Sequence, residues 1–330
     1  MFELFNPAWK LPFMRWSRVT LWLSLLAIVV SIVALVRPGL NFALDFTGGT
    51  VVELSFEQPA DLARIRSTLA DAGYEGAQVQ SFGSTRDVLV RLRPDADTGA
   101  EAQAETEAQQ EAQEIGLAQS AGEAVHRLLI EAGLPAELKR NEFVGPQIGK
   151  ELAEQGIIAI LVVIGGILIY IAVRFEWRFG LAAIAGELHD VIITLGFLAL
   201  VGREFDLPAL AAVLAVAGYS INDKIVIFDR IREMFRTTRR MGPEETIDVA
   251  CNTTLARTII TSFVTLLSVL ALYFIGGEAL KSFSLVLIVG IVVGTYSSIL
   301  FAAPLLNRLG VTKQDLMPKM RDETELQRRP

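Results

Sequence analysis

Long apolar stretches alternate with short polar ones along most of the chain. Six of these stretches are long enough, or nearly long enough, to cross a bilayer as helices, which takes roughly 20 residues. A long segment of mixed composition separates the first stretch from the second. The pattern therefore predicts six membrane-spanning helices, at Val19–Val36, Ile157–Val173, Phe179–Val201, Leu207–Phe228, about Thr253 to Ile275, and Phe283–Leu306.

The segment between the first two spans has the shorter periodicities of a folded domain. Thr50–Phe56 is typical of a strand, and "AQVQSF" and "DVLVRLR" flank "GST" as in a hairpin. Apolar residues recur at helical spacing in "PADLARIRSTLADAG" and "GEAVHRLLIEAG", and "ELKRNEFVG" predicts a last strand. The order β-α-β-β-α-β is that of a split βαβ, or ferredoxin-like, α+β unit.

This folded segment also contains a stretch rich in Ala, Glu and Gln, which lies between Asp95 and Ser120. Its composition predicts a solvated helical extension or a flexible insert. The predicted organisation is a tail and first helix at 1–36, a βαββαβ domain at 37–148 with the insert at about 95–120, five helices at 149–306, and a tail at 307–330.

Basic residues are concentrated on one side of the predicted spans, which sets the orientation of a membrane protein. The loops and tails on that side carry Lys10, Arg15, Arg18, Arg174, Arg178, Arg230, Arg232, Arg236, Arg239, Arg240 and several C-terminal Lys and Arg residues. The loops "GREFDL" and "GGEALK" on the other side carry one basic residue each. Both termini are therefore predicted to be cytoplasmic, with the βαββαβ domain outside.

Composition excludes several other classes of protein. At 52% hydrophobic residues the chain is too apolar for an ordinary soluble domain, and its net charge of −7 argues against nucleic-acid binding. The first span is longer than a signal-peptide core, and "LVRPGLNF" lacks a cleavage site, so it is predicted to be an uncleaved anchor. Cys251, as the single cysteine, forms no internal disulfide.

Two charged residues in the fourth and fifth spans form the first candidate site. Asp223 lies six residues before Asp229, where the fourth span ends, so it is about 9 Å inside the membrane. Arg257 lies at a similar depth in the fifth span. Because the two helices are sequential and antiparallel, we expect Asp223 to pair with Arg257, as buried charges in membranes usually do. A fixed structural salt bridge is the alternative to a functional one.

Other polar residues surround this predicted pair. Hydroxyl side chains recur at spacings of three and four along the fifth span, which also carries Arg257, so they lie on one face of that helix. They are Thr254, Thr258, Thr261, Thr265 and Ser268. This stripe predicts a hydrated or helix-packing seam. Each hydroxyl taken alone usually satisfies a carbonyl of its own helix.

Polar residues also interrupt the third and fourth spans. Near the middle of the third span lie Glu187, His189 and Asp190, which are candidates for a proton relay or for helix packing. In the fourth span, Asn222 precedes Asp223 and Lys224 follows it, and Asn222 and Thr261 are further candidates for the relay. Lys224 points about 100° away from Asp223, toward Asp190 or toward the cytoplasm.

The sequence contains no recognisable enzyme signature. It has no Walker loop, HExxH, GxSxG or Cys–His metal spacing, so we predict no catalytic residues, cofactor or metal. Without a nucleotide site, a chain that buries titratable groups would draw its energy from an ion gradient. A carboxylate whose charge depends on an arginine and on hydration can bind and release a proton as access alternates.

Four motifs resemble the SecD/SecF family of RND-type membrane proteins, and within it the SecF subunits. They are "LDFTGGT" (Leu44–Thr50), "VGPQIGKEL" (Val144–Leu152), "GYSINDKIVIFDRIRE" (Gly218–Glu233) and "NTTLARTIITSFVTLL" (Asn252–Leu267). The resemblance covers nearly the whole chain in the right order. It implies a six-helix bundle that is half of an RND-type assembly, with a periplasmic ferredoxin-like domain after the first helix.

The resemblance also implies a function and partners. SecD would supply the other six helices, in a bacterial inner membrane, and the complex would use the proton motive force at late steps of export, after SecA and SecYEG have moved an unfolded preprotein. In that family the Asp and Arg that match Asp223 and Arg257 take part in the proton pathway, and an HD pair matches His189–Asp190. Lys224 departs from the small uncharged residue usual there, and the insert lengthens the outer domain.

Two alternatives remain open from the sequence. One is a free-standing RND-like exporter of a small molecule or lipid, which would dimerise without a second subunit. The other is a scaffold that holds translocon components together, with Asp223 and Arg257 as a fixed salt bridge.

Overall fold

The computed structural model describes residues 11–74, 76–82, 84–92, 121–238 and 241–312. The predicted Ala/Glu/Gln-rich insert lies outside these ranges, as do most of the two tails. The chain forms two compact units. We call the one made of residues up to Asn41, Ile160–Arg203 and Pro208 onward the six-helix unit, and the one made of Phe42–Ala159 and Glu204–Leu207 the sheet unit.

Helices and strands follow one another in a simple order along the described residues. In chain order they are α1 Phe13–Val36, β1 Asn41–Phe42, α2 Leu44–Thr47, β2 Gly49–Phe56, α3 Leu62–Asp71, β3 Gln78–Phe82, β4 Ser84–Leu92, α4 121–131, β5 Ala136–Val144, α5 Pro146–Arg174, α6 Trp177–Val201, β6 Glu204–Phe205, α7 Leu207–Thr237, α8 Pro243–Ile275, α9 Lys281–Ser297 and α10 Ala303–Arg308. A π-helical turn, Ser298–Ala302, joins α9 to α10, so the two run on as one span.

The prediction of six membrane-spanning helices is confirmed. Within the described ranges, six helices are long and apolar enough to cross a bilayer, namely α1, α5, α6, α7, α8 and the α9–α10 run. Several continue beyond the predicted limits, because apolar composition marks only the part of a helix that suits lipid. The helix α7, for example, continues past Phe228 to Thr237 through a charged last third, since backbone hydrogen bonding does not require apolar side chains.

Close packing in the six-helix unit depends on aromatic contacts and on small residues. The rings of Phe175, Phe179 and Phe228 lie 5.6 to 6.2 Å apart, centroid to centroid, in the main apolar cluster. Helices α1 and α6 approach closely at Gly196, where an added Cβ would lie 2.3 Å from the Cβ of Ser31. Small residues are the usual means by which membrane helices come this close.

The sheet unit has the predicted βαββαβ order. Its four-stranded sheet has the order β3-β4-β2-β5, and every pairing is antiparallel. The central strand β2 pairs on both sides, with Val52 opposite Val90 and Asn141. Strand and helix side chains together form the core of this unit, with α3 contributing Ile65 and Leu69 and α4 contributing Val125 and Leu129. This arrangement confirms the ferredoxin-like prediction.

Candidate functional site

A buried lysine stands at the centre of the polar residues in the six-helix unit. Lys224 of α7 is 0% exposed, and its ammonium nitrogen lies 2.6 Å from Asp190 Oδ2 of α6. The same nitrogen donates to Ser220 Oγ at 2.5 Å and lies 3.4 Å from Glu187 Oε2. An ammonium group has three hydrogens, and here it has three oxygen partners. Of the two directions predicted for Lys224, the one toward Asp190 is found.

Asp190 is fully buried and receives hydrogen bonds from several helices. Besides the ammonium group, Ser297 Oγ of α9 donates to its Oδ2 at 2.7 Å, and the Ser220 hydroxyl donates to the same oxygen. His189 Nδ1 lies 2.7 Å from Asp190 Oδ1, so Nδ1 carries the hydrogen that an ionised carboxylate can accept. The imidazole stacks on Phe301 with centroids 4.4 Å apart. This carboxylate therefore joins three helices through fixed contacts.

Two glycines make room for this cluster. A Cβ at Gly186 would lie 2.6 Å from Lys224 Cε, and a Cβ at Gly294 would lie 2.8 Å from Ser220 Oγ. Both distances are shorter than a carbon atom can accept without movement of its neighbour. Gly186 therefore allows the lysine stem to pass α6, and Gly294 allows α7 to approach α9.

The predicted ion pair between Asp223 and Arg257 is wrong for this structure. Asp223 is 5% exposed, yet among the described residues its Oδ2 has no hydrogen-bond partner. Arg257 is exposed, and it forms no ion pair with Asp223, although the two charges are close enough to interact electrostatically. The depth argument placed both residues at one level, but it did not define the rotation of each helix. The helices α7 and α8 do contact each other, through hydrogen bonds from Tyr219 to Ser262 and from Arg230 to Thr253, but neither contact brings Arg257 onto Asp223.

The polar stripe of α8 is divided between the interior and the surface. Thr254 and Thr258 are buried, whereas Thr261 and Ser268 are exposed, as is Asn222 of α7. Thr254 and the three outer hydroxyls of the stripe donate to carbonyls three or four residues earlier in their own helix. Thr258 is the exception, because its buried hydroxyl has no partner within the described ranges.

Sequence reasoning missed two residues of the cluster, Ser220 and Ser297. Ser220 stands four residues before Lys224, a spacing that places both on one helix face, so it was detectable in principle. Ser297 reaches Asp190 from 107 residues away in the chain, and no local pattern indicates that contact. Among the residues that the structure describes, no three His, Cys, Asp or Glu side chains converge in a way that could hold a metal ion.

Comparison with known proteins identifies the family. A family model described as "Protein export membrane protein SecD/SecF, C-terminal" matches residues 125–312. A second, described as "SecD/SecF GG Motif", matches residues 33–60. The chain is 46% identical over 312 residues to the protein translocase subunit SecF of Pseudomonas aeruginosa, which covers 94% of this chain and 95% of the relative. The SecF subunit of Vibrio alginolyticus is 45% identical over 319 residues, with 96% of each chain covered.

Solved structures agree with the sequence relatives. The crystal structure of SecDF, a translocon-associated membrane protein from Thermus thermophilus, matches with a TM-score of 0.76 at 35% identity. A structure of SecDF in the super-membrane-facing form matches with a TM-score of 0.63 at 36% identity. Each match covers 93% of this chain but only 39% or 40% of the solved chain. Because a family model matches more than half of the chain and SecF subunits resemble it over nearly its whole length, the chain belongs to the SecD/SecF family of protein export membrane proteins.

Proposed function

We propose that the protein is an accessory subunit of the bacterial Sec preprotein translocase that couples the proton motive force to late steps of export, together with SecD. The observation that carries this proposal is Asp223. It is a buried carboxylate on an apolar helix, and one of its oxygens has no hydrogen-bond partner in the described part of the chain. A carboxylate at membrane depth is costly unless it is paired or functional.

The contacts favour Asp223 over Asp190 as the group that takes up the proton. Asp190 holds an ammonium group and three other donors, so protonation would break several contacts at once. Asp223 has no such fixed partner in the described part of the chain, and the Lys224 ammonium and, less strongly, the Arg257 guanidinium act on its charge. Asp223 is the proton switch in this proposal and Arg257 its charge partner. Glu187 and His189 are lesser contributors that hold the surrounding helices.

The exposed polar groups support a second membrane subunit. Arg257, Thr261 and Asn222 are exposed on helices that are otherwise apolar, and a guanidinium that faces acyl chains is costly. A partner helix with complementary polar groups would cover them. Solved SecDF chains are much longer than the part that this chain matches, which is what a six-helix partner of the SecD kind would require.

The remaining features of the proposal follow from the same resemblance. The complex lies in the inner membrane, in contact with lipid, with both termini cytoplasmic and the sheet unit in the periplasm. SecYEG and SecA supply the unfolded preprotein. The chain itself has no catalytic residue and no cofactor in this proposal, because the energy comes from the proton gradient.

Export into sealed membrane vesicles, with and without an imposed proton gradient, tests the proposal. SecA and ATP are held constant, and Asp223→Asn is compared with the wild type. We expect the variant to lose the part of export that depends on the gradient while its membrane level and SecD binding stay normal. Asp229→Asn is the matched control, because Asp229 lies on the same helix but forms an exposed ion pair with Arg174. Unchanged gradient dependence in Asp223→Asn would refute the assignment.

The scaffold alternative is less well supported than the proton relay. It relied on a fixed salt bridge between Asp223 and Arg257, and these groups form no ion pair here. The exchange of the two residues, Asp223→Arg with Arg257→Asp, should leave a scaffold active and a proton relay inactive. A free-standing exporter would instead purify as a stable homodimer that needs no SecD.

A further inference from the structure

The connection between α6 and α7 does not belong to the unit that contains those helices. Residues Glu204–Leu207 cluster with the sheet unit, whereas most of α6 and α7 lies in the six-helix unit. This short connection leads directly into the helix that carries Asp223. The contacts that hold it therefore decide which unit controls the start of α7.

Backbone and aromatic contacts hold the middle of the connection. The strand β6 pairs with β1 in a two-stranded sheet, and Ala43 N donates to Phe205 O at 3.0 Å. The ring of Phe205 stacks on Phe46 at 5.7 Å and meets the edge of Phe42 at 5.9 Å, centroid to centroid. Phe205 is only 6% exposed. Its burial among the other two rings excludes water from this part of the connection.

An ion pair holds Glu204, the residue before Phe205. Arg91 of β4 places Nη2 2.7 Å from Glu204 Oε1, and its Nη1 donates to Phe42 O at 2.9 Å. Gln80 of β3 donates to the same Glu204 oxygen at 2.6 Å. Arg91 is 9% exposed, so this ion pair is shielded from solvent more than a surface pair is. Two strands of the main sheet thus bind one side chain of the connection.

A carboxylate from the sheet unit caps the first residue of α7. Asp45 Oδ2 accepts a hydrogen bond from Leu207 N at 2.9 Å. The first amide groups of a helix have no partner within it, and a carboxylate there also suits the helix dipole. Asp45 therefore does for α7 what a capping residue usually does for its own helix, although it lies 162 residues away.

The capping segment is itself attached firmly to the main sheet. Gly48 and Gly49 have φ of 66° and 117°, which lets the chain turn sharply from α2 into the central strand β2. A Cβ at Gly149 would lie 2.9 Å from the backbone nitrogen of Gly48, so α5 presses directly on this turn. These contacts account for the two glycine motifs near residues 48 and 149, which the proton site does not use.

We propose that residues 42–47 and Arg91 form a clamp that makes the start of α7 move with the sheet unit. Asp45 and Arg91 are then positioning residues for Asp223, which lies about 24 Å farther along α7 at 1.5 Å per residue. This inference rests on the proposed function and assigns the route by which the sheet unit and the proton site influence each other. A helix held at its end transmits a shift along its axis because its backbone hydrogen bonds resist stretching.

The first test asks whether the clamp holds α7 in the full-length protein. Hydrogen–deuterium exchange is measured on peptides that begin at Glu204, for the wild type and for the double variant Asp45→Ala/Arg91→Gln. We expect faster exchange in the first turn of α7 in the double variant. Asp45→Asn, which keeps an acceptor oxygen, should stay close to the wild type. Asp61→Ala is the matched control, because Asp61 caps α3 in the same unit without touching the connection.

The second test asks whether the clamp is needed for coupling. Export is measured in sealed vesicles with SecA and ATP held constant. The gradient-dependent part should be about 2- to 30-fold lower in the double variant than in the wild type, which is the range expected for a change in coupling between sites. Its ATP-driven part should be unchanged, and Asp61→Ala should keep both parts. If export by the double variant depends on the gradient as strongly as export by the wild type, and the complex assembles normally, the clamp proposal is overturned. If the wild type shows no gradient dependence, the proposed function itself fails.

Discussion

Replacement of Lys224 by methionine would remove the ammonium group that binds Asp190 while keeping most of the side-chain volume. Asp190 is 0% exposed and Glu187 is 7% exposed, so two carboxylates would remain buried without their cation. Removal of one partner from a buried ion pair costs about 3–5 kcal/mol, because the other charge is left uncompensated. The methionine fills the space beside Gly186, so little of this loss comes from a cavity.

The chain provides its own reporter for this experiment. Cys251 is its single cysteine and is 0% exposed, so it reacts with a fluorogenic maleimide only when the protein unfolds. A loss of about 3–5 kcal/mol corresponds to a fall of roughly 6–20 °C in the unfolding midpoint. Arg174→Met is the matched control, since Arg174 forms an exposed ion pair with Asp229 at 2.6 Å. Its loss should cost about 1 kcal/mol or less.

A double variant separates charge from packing. In Lys224→Met/Asp190→Asn no unpaired carboxylate remains at position 190, and the asparagine can still accept hydrogen bonds from the Ser220 and Ser297 hydroxyls. A buried ion pair replaced by neutral groups is often no less stable than before, so the part of the midpoint lost through Asp190 should recover, while the part lost through Glu187, which still lacks its cation, should not. The reasoning is refuted if Lys224→Met unfolds at the same temperature as Arg174→Met. It is also refuted if the double variant is as unstable as the single one.

Two further predictions concern stability. The first is measured with the same cysteine assay, and the second by thermal melts followed by circular dichroism, because maleimide needs the thiolate and reacts too slowly near pH 3. Gly186→Ala should lower the free energy of unfolding by about 1–3 kcal/mol, and with it the midpoint, because the added Cβ would lie 2.6 Å from Lys224 Cε. A midpoint equal to that of the wild type would contradict this. In the sheet unit, hydrogen bonds from Ser55 and Ser84, both 2.6 Å long, lower the pKa of Asp87 below 3.8. The stability that this gives is present above pH 3.8 and is lost as pH falls through the lowered pKa. Ser55→Ala should therefore reduce stability at neutral pH and make the midpoint less sensitive to pH between about 4 and 3, and an unchanged pH profile would contradict this.

The sequence alone determined the elements and their order along the chain. Helices that lie in lipid must satisfy every backbone group internally, so apolar stretches of sufficient length locate them without knowledge of their neighbours. Alternating and helical periodicities located the βαββαβ elements for a similar reason, because each reports one buried face of a local structure. The position of Asp223 along its span also followed from the sequence, since helical rise per residue is nearly constant.

Only the tertiary structure decided which polar groups meet. The rotation of each helix about its axis and its choice of neighbour depend on packing between segments far apart in the chain, such as the contacts at Gly186 and Gly294. Those contacts direct Lys224 to Asp190 and leave Asp223 without a fixed partner among the residues that the structure describes. Contacts of this kind depend on side chains that only the folded chain brings together, so no periodicity along the sequence records them.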